Sequence, residues 1–325
     1  MTRYIRLRTL LFTALLANSA CSLTDHPTSA SPLGEPISLA EFDAALAAGP
    51  GQLEVRSVPS ATWQVPRSGL INLEHPRARA AGLTDTMEPI EISVHVISHP
   101  SAGTFLIDSG VAATFSDGPS EDLSWVVRRA MDLSTLTVRQ STRALLTELG
   151  TPVAGVFLTH LHLDHIMGIG DLPPGVPLYT GPGDAAARAF EHAFSRGTNN
   201  RLLARGGDIQ EWAFGAESDD LRAVDVFGDG QLFALSVPGH TPGSTAYLAR
   251  AVDGLHLYVG DASHTVWGWE NGVEPGRFSA DIPRSARSLA ALKALAARYP
   301  TIHVYPGHQS IPRSPTSVAD FGDAS

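Results

Sequence analysis

The chain of 325 residues contains a single cysteine, Cys21. One cysteine has no partner within the chain, so no intramolecular disulfide can form and the fold must be stabilised by its apolar core. A chain of this length can bury a core of sufficient size, and roughly 270 residues after the N-terminal segments fit one large domain. The composition therefore excludes a disulfide framework.

The sequence also lacks an apolar run long enough to cross a bilayer, which takes about 20 residues. The run Leu10–Ala17 is much shorter, and it lies between a basic N-terminus and Asn18–Ser19–Ala20–Cys21. This order is typical of an export signal. Its end resembles the lipobox of lipoproteins, although Asn18 replaces the usual aliphatic residue. We predict an export signal over residues 1–21 and a protein that is periplasmic or tethered to the outer membrane through an acylated Cys21. Plain secretion stays open.

Basic charge is scarce as well. The chain has 23 Lys and Arg against 33 Asp and Glu, which gives a net charge of −10, and removal of residues 1–20 takes this to −13 because three Arg and no acid are lost. A surface this acidic opposes binding to nucleic acid. We expect a small-molecule substrate, no nucleic-acid partner, and no membrane contact except through a lipid anchor. The sequence predicts no oligomeric state.

The composition of the chain after residue 21 indicates three segments. Residues 22–52 are expected to form a flexible linker rich in Ser, Thr, Pro and Gly, followed by a short helix over Ser38–Ala48 with a capping box of Ser38 and Glu41. Residues 53–312 are expected to form the domain, and residues 313–325 a polar tail.

Periodicity within the domain predicts alternating strands and helices. Strands are expected at Glu91–His99, at Thr104–Ile107, and in succession through Ala223–Val237 and Ser244–Val259. Helices are expected at Asp122–Leu133, Thr137–Leu149, Asp184–Phe194 and Arg284–Tyr299, and a loop or lid at Arg196–Gly207. Periodicity alone indicates a mixed α/β fold.

The most informative stretch is Thr159–His165, with the sequence THLHLDH, which follows a buried, strand-like run at 153–158. Residues two apart on an extended segment point the same way, so His160 and His162 are expected to bind one ion. Asp164 and His165 follow where the chain turns, and we expect them to reach a second ion. Imidazole and carboxylate ligands suit zinc and neighbouring divalent metals.

Further polar residues follow other apolar runs, where strand ends can converge on one site. They are Asp108 in FLIDSG, His240 in VPGHTPGS, Asp261 in LYVGD and His308 in YPGH. Together with the histidine string, these motifs resemble the metallo-β-lactamase superfamily over roughly residues 90 to 310.

The resemblance implies a single-domain, four-layer αβ/βα sandwich that holds two divalent metal ions, zinc in the first place, with manganese, iron or cobalt possible. It assigns His160, His162 and His240 to the first metal, Asp164, His165 and His308 to the second, and Asp261 to both. It implies a hydrolase whose nucleophile is a hydroxide bridging the metals. Asp108 is expected to orient a ligand histidine instead of binding metal.

Within the superfamily, the segment Asp261–Ala262–Ser263–His264–Thr265 resembles the Asp-Ala-Ser-Tyr-Thr of N-acyl homoserine lactone lactonases. We therefore expect hydrolysis of a lactone or a related ester, with Asp164 and His264 as catalytic residues. His264 replaces the lactonase tyrosine, and we expect a neutral imidazole that donates one N–H to the substrate. The alternative for His264 is an exposed loop histidine.

Three other functions stay open. An organophosphate or aryl ester hydrolase would use the same metals with a wider pocket. A β-lactam hydrolase is disfavoured because no cysteine is available as a ligand. A metal-binding protein that keeps the fold is the non-enzyme alternative.

Trp267 and Trp269 are expected either in the core or as an aromatic wall for the substrate. The histidines without a partner motif are predicted to be structural or exposed; they are His26, His75, His95, His99, His192, His256 and His303.

Overall fold

The computed structural model describes residues 21–118, 120–190, 192–216 and 221–309. Apart from Cys21, the predicted export signal lies outside the described residues, and so does the predicted polar tail. The strands are β1 Cys21–Ser22, β2 Thr28–Ala30, β3 Glu35–Ile37, β4 Glu54–Pro66, β5 Met87–His99, β6 Gly103–Ile107, β7 Thr137–Val138, β8 Val153–Phe157, β9 Leu178–Thr180, β10 Arg188–Ala189, β11 Ile209–Glu211, β12 Ala223–Asp225, β13 Leu232–Ser236, β14 Thr245–Ala251, β15 Gly254–Gly260 and β16 His303–Pro306. The α-helices are α1 Leu39–Ala47, α2 Arg67–Leu70, α3 Pro76–Ala80, α4 Trp125–Met131, α5 Thr142–Leu149, α6 Leu163–Ile166, α7 His192–Leu203, α8 Val266–Asn271 and α9 Ile282–Arg298.

Two large sheets form the centre of the molecule. The first has eight strands in the order β2-β11-β9-β8-β6-β5-β4-β7, and the second has six in the order β16-β15-β14-β13-β12-β3. In the first sheet β2, β11, β9, β8 and β6 pair in parallel, whereas β5 is antiparallel to both β6 and β4, and β7 is antiparallel to β4. The second sheet is antiparallel except for the pair of β15 and β16.

The sheets pack face to face, and helices cover their outer faces. Aromatic side chains fill the space between the sheets, where Phe157 of β8 and Tyr247 of β14 have ring centroids 5.7 Å apart. On the outer face of the second sheet, Phe42 of α1 meets Phe233 edge to face at 5.0 Å, and Leu292 of α9 packs in the same cluster. On the outer face of the first sheet, α5, α6 and α7 contribute to a third cluster. This is the four-layer αβ/βα sandwich expected from the sequence.

Several predicted elements are confirmed. The capping box of α1 is present, since Ser38 Oγ accepts the N–H of Glu41 at 3.2 Å and Glu41 Oε2 accepts the N–H of Ser38 at 2.8 Å. Strands β5 and β6 pair as an antiparallel hairpin, and α9 begins two residues before the predicted start. The two helices predicted around residues 122–149 are present but shorter, because residues 137 and 138 pair with β4 as β7.

The structure differs from the prediction at the N-terminal linker. Residues 21–37 form β1, β2 and β3, which pair with β10, β11 and β12 respectively. Strands β2 and β3 lie at the edges of the two large sheets, and β1 forms a separate two-stranded sheet with β10. All three are held by backbone hydrogen bonds, so they need no apolar side chains of their own. The composition of this segment predicted a flexible linker, but the structure shows that the chain is bound to the fold from Cys21 onward.

The helix predicted at Asp184–Phe194 is wrong, and so is the loop or lid at Arg196–Gly207. The chain turns at residues 182–187, pairs briefly as β10, and enters α7 only at His192. Asp184 holds the turn because its buried carboxylate accepts backbone N–H groups from two other loops. Those tertiary hydrogen bonds override the helix propensity of the alanines.

Of the helices in the described ranges, none combines the length and the apolar character that crossing a membrane requires.

Candidate metal centre

The sequence-predicted site residues lie where five strands end. Parallel neighbours end at the same edge of a sheet, which brings these loops together. Asp108 follows β6, His160 and His162 follow β8, His240 follows β13, Asp261 follows β15 and His308 follows β16, while Asp164 and His165 lie on α6. The structure thus gathers at one edge residues that are up to 200 positions apart in the chain.

A first group consists of His160, His162, His240 and Asp261, whose ligand atoms all lie within 4.8 Å of one another. His240 Nε2 is 3.2 Å from His160 Nε2 and 2.8 Å from His162 Nδ1. Oδ2 of Asp261 is 3.2 Å from His240 Nε2 and 3.5 Å from His160 Nε2. Four ligands placed tetrahedrally at 2.0–2.1 Å from zinc are about 3.3 Å apart, so the spacing fits one such ion.

A second group consists of Asp164, His165 and His308, and a third, which overlaps it at His308, consists of Asp261, His264 and His308. His308 Nε2 lies 3.3 Å from Asp164 Oδ2 and 3.4 Å from Asp261 Oδ1. His165 Nε2 lies 3.5 Å from Asp261 Oδ2. Asp261 therefore presents its carboxylate to both groups, which is the geometry that a carboxylate shared by two cations needs.

Hydrogen bonds on the far side of the rings fix which nitrogen faces the centre. Nδ1 of His165 is 2.8 Å from Asp108 Oδ2, and Nδ1 of His308 is 3.0 Å from the carbonyl oxygen of Glu91. Carboxylate and carbonyl oxygens only accept, so each Nδ1 carries the hydrogen and donates it. In the neutral ring, Nε2 is then an unprotonated lone pair directed at the centre, which is the arrangement of metal-binding histidines.

Asp108 is held in an uncommon backbone conformation, with φ of 56°. Its Oδ1 accepts the N–H of Thr159 at 2.8 Å, while its Oδ2 holds His165. Left-handed backbone is uncommon for residues other than glycine, although aspartate tolerates it. The conformation lets one carboxylate bind the start of the histidine loop and orient a histidine of the second group.

The pKa values of the histidines are shifted differently in the two groups. Burial lowers the pKa of His162 to about 3 and also moves the pKa values of His160 and His240 below the ordinary value, so these rings are neutral. Burial opposes protonation of His165 as well, but the carboxylates of Asp108, Asp261 and Asp164 raise its pKa well above the usual range. The second group therefore attracts positive charge strongly.

The donor set fits divalent cations. Nε2 of His165, Nε2 of His264 and Oδ1 of Asp261 are buried and make no hydrogen bond within the part of the chain that the structure describes. Buried polar atoms without partners are costly, and here several lone pairs and carboxylates face one another. Cations bound among them would relieve that repulsion.

His264 is placed differently from the sequence-based expectation. It is almost fully buried, its Nδ1 is 3.1 Å from the carbonyl oxygen of Leu70, and its Nε2 is 3.1 Å from Asp261 Oδ2. The alternative of an exposed loop histidine is therefore wrong. A neutral ring that donates Nδ1–H to Leu70 has no hydrogen on Nε2, so it faces the centre as an acceptor and not as the donor we expected.

Asp184 is a site-supporting residue that the sequence did not reveal. Its Oδ2 accepts the N–H of Leu161, between His160 and His162, at 3.1 Å, and its Oδ1 accepts the N–H of Gly243 at 2.6 Å. Burial raises its pKa to about 6, against these hydrogen bonds. Asp184 thus joins the histidine loop to the loop of His240. The only sequence signal was an acid after Gly181–Pro182–Gly183, where a turn should have been weighed against a helix.

The remaining aromatic and histidine candidates lie apart from the centre. Trp269 packs in the core under α9, with Lys293 Nζ 5.3 Å from its ring, and Trp267 is partly buried against the cluster of the first sheet. Core packing is therefore the role that the structure gives Trp269. Hydrogen bonds outside the centre engage most other histidines, for example His99 with Asp229 and His256 with Asp253, both at 2.8–2.9 Å.

Comparison with known proteins agrees with this geometry. The family model described as the metallo-beta-lactamase superfamily matches residues 88–308. An N-acyl homoserine lactonase, AttM, from Agrobacterium fabrum is 30% identical over 255 residues, which cover 72% of this chain and 86% of that protein.

Solved structures share the fold. A mutant of AiiA from B. thuringiensis, with N-decanoyl-L-homoserine at its active site, has a TM-score of 0.58 at 16% identity and covers 79% of this chain and 94% of its own. AidC, described as a dizinc quorum-quenching lactonase, has a TM-score of 0.52 at 13% identity and covers 85% of this chain and 90% of its own. The matched family model, the curated relative and the shared fold confirm the resemblance seen in the sequence. The chain belongs to the metallo-beta-lactamase superfamily, as a hydrolase whose curated relatives include lactonases.

Proposed function

We propose that this protein is a dinuclear metal-dependent hydrolase that opens the lactone ring of N-acyl homoserine lactones. The observation that carries the proposal is the set of inward-facing lone pairs on both sides of Asp261, which fits two cations that share one carboxylate. The substrate class rests on the similarity to the lactonase AttM and on the segment Asp261–Thr265.

The metal ligands in this proposal are those of the two groups. His160, His162 and His240 would hold the first ion, Asp164, His165 and His308 would hold the second, and Asp261 would contribute to both. Zinc suits this set of imidazole and carboxylate donors, and manganese, iron or cobalt would be accepted by the same ligands. Bound ions lower the pKa of water from about 15.7 towards 7 and polarise the lactone carbonyl.

Side chains of the centre position the reacting groups and transfer one proton. In lactone hydrolysis a water oxygen bonds to the carbonyl carbon, the ring C–O bond breaks, and one proton passes from the water to the leaving alkoxide. Nδ1 of His264 is engaged by the carbonyl of Leu70 and its Nε2 lies 3.1 Å from Asp261 Oδ2, so we assign to Nε2 the role of accepting this proton and returning it to the alkoxide. Asp164 is the one carboxylate of the centre that is partly exposed, with 15% of its side chain accessible, and it faces the entering substrate.

His264→Ala should lower kcat by about 10²–10⁴-fold, because a general base and acid typically contributes in this range. Metal content, measured on the same protein, should stay unchanged. His264→Tyr restores the lactonase residue and should retain more lactone turnover than the alanine variant. Unchanged kcat at full metal loading would make His264 a bystander, while loss of metal from His264→Ala would make it a ligand.

A substrate panel separates the candidate reactions. We expect the metal-loaded protein to hydrolyse an N-acyl homoserine lactone with a kcat/KM at least about 100-fold above that for an aryl ester, a phosphotriester or a cephalosporin, a preference of about 2.7 kcal/mol in the transition state. Preferred turnover of the phosphotriester would support the organophosphate hydrolase instead. Hydrolysis of none of the four by fully loaded protein would favour a binding protein.

The proposal includes the cellular location. The basic, apolar and small-residue order of residues 1–21 supports export, and the lipobox-like end supports acylation of Cys21. Catalysis would then take place outside the cytoplasm, on substrate that diffuses in from outside.

A further inference from the structure

The surface beside Cys21 carries exposed aromatic side chains. Cys21 pairs with Ala189 in the antiparallel ladder of β1 and β10. The next residue, Phe190, is 56% exposed, and its ring lies 5.6 Å from that of Phe194, which is 50% exposed. The residue predicted to carry lipid is thus fixed beside a pair of solvent-facing aromatic rings.

A third aromatic ring belongs to the same region. Trp125, the first residue of α4, is 75% exposed. Helix α4 is fastened to α7, since the N–H of Ser124 is donated to Thr198 Oγ1 at 3.0 Å and Arg201 Nε donates to the carbonyl of Asp122 at 2.7 Å. We call Trp125, Phe190 and Phe194 the aromatic surface. Of the exposed large aromatic side chains among the described residues, only Phe278 lies elsewhere.

The charges of these elements differ from those of the whole chain. The helices α4 and α7 and the strand β10 contain five arginines and no acid, although the chain carries a net charge of −10. These arginines are Arg128, Arg129, Arg188, Arg196 and Arg201. Acids do flank the elements, at residues 121, 122, 132 and 191, and Asp25 pairs with Arg196 at 3.2 Å. Tryptophan beside arginine is typical of protein surfaces at the membrane interface.

The way in which the segment after Cys21 is bound determines which surface would face the membrane. A flexible linker after Cys21 would let the domain face the bilayer in any orientation, but no such linker is present. Asn199 Nδ2 donates to the carbonyl of Leu23 at 3.1 Å, and Thr24 Oγ1 donates to Asn200 Oδ1 at 2.6 Å, so the segment after Cys21 is bound along α7. A lipid on Cys21 would therefore bring the bilayer directly against β10 and α7.

We propose that the aromatic surface lies against a phospholipid bilayer and, together with the acylated Cys21, holds the enzyme in one orientation on the membrane. Apolar burial of the rings and the arginines around them act as the second of the two signals that stable anchoring requires. This inference rests on export and acylation at Cys21, and it is independent of the metal chemistry.

Quenching of tryptophan by brominated phospholipid tests the contact. The full-length protein is bound to vesicles of phosphatidylglycerol and dibrominated phosphatidylcholine, and fluorescence is compared with that in unbrominated vesicles. Trp125 should be quenched, whereas Trp63, Trp212 and Trp269, at most 8% exposed, and Trp267, partly buried against the cluster of the first sheet, should not be. Trp125→Phe should abolish nearly all quenching. Quenching that persists in this variant would show that another face meets the lipid.

Two double variants separate lipid contact from general surface hydrophobicity. Phe190→Ser with Phe194→Ser should reduce the quenching of Trp125 severalfold, because the rings that hold α7 at the lipid are lost. Leu39→Ser with Val252→Ser is the matched control, since these exposed apolar residues, at 36% and 60%, lie outside the aromatic surface. Its quenching should equal that of the wild type.

Three outcomes would overturn the proposal. The first is vesicle-bound wild-type protein without quenching. The second is an equal effect of the control pair. The third is a phenylalanine variant that keeps full quenching but shows a raised KM for long-chain lactones, which would assign the surface to the substrate's acyl chain. Unfolding midpoints measured on each variant show that the fold is intact. Cys21→Ser tests the tether separately, because it should lower the bound fraction without changing which tryptophan is quenched.

Discussion

Asp261→Ala is expected to empty both halves of the candidate centre and to lower kcat/KM for lactone hydrolysis by about 10⁴-fold or more, a loss of about 5.4 kcal/mol in transition-state stabilisation. The reason is its position: its side chain is 3% exposed and lies 3.1–3.5 Å from Nε2 of five histidines. Without its charge, two adjacent cations would repel each other with no anion of the protein between them. Metal content should fall from near two ions per chain to below one.

Two variants sharpen this test. Asp261→Asn keeps the size of the side chain and removes its charge, so it should resemble the alanine variant if charge is the decisive property. Asp253→Ala breaks another histidine–aspartate pair, the 2.9 Å contact with His256, away from the centre. It should keep both metals and activity within a few-fold. Full metal content in Asp261→Ala would contradict the shared-carboxylate assignment.

Removal of the metals from the wild-type protein is expected to abolish activity and to lower the unfolding midpoint by about 10 °C. An ion present at 1,000 times its dissociation constant stabilises the folded state by about 4.1 kcal/mol, and in large domains each kcal/mol corresponds to about 2–4 °C. In addition, Oδ1 of Asp261, which makes no hydrogen bond among the described residues, would lose the cations that it faces. Calorimetry before and after chelation measures the shift.

Addition of zinc should restore both activity and midpoint, which separates metal loss from irreversible unfolding. Chelation of Asp261→Ala supplies the control, since a variant that holds less than one ion per chain should show a much smaller shift than the wild type. An unchanged midpoint in the wild type after verified metal removal would mean that the cluster is stable without ions.

The sequence predicted the centre well because its signal is local. The string at 159–165 places four ligands within six consecutive residues. The other three ligands each come directly after an apolar run; they are His240, Asp261 and His308. Strands end at a sheet edge, so a polar residue just beyond each strand is brought to that edge whatever the loops between them do. The same reasoning located Asp108.

What the sequence did not predict depends on distant backbone atoms. The acceptor state of His264 is set by the carbonyl of Leu70, 194 residues away, and nothing in the DASHT segment indicates it. Strands β1, β2 and β3 were not predicted, because edge pairing satisfies backbone groups and leaves no apolar pattern. The misplaced helix near Asp184 has the same origin, since hydrogen bonds from Leu161 and Gly243 decide the local conformation.

The central claim is a hydrolase that works with two metals. The most direct test is titration of the metal-free protein with zinc while the initial rate of N-acyl homoserine lactone hydrolysis is followed. We expect a rate that rises until two equivalents per chain are bound and then stays constant. Full activity at one equivalent, or no lactone turnover after two are bound, would contradict it.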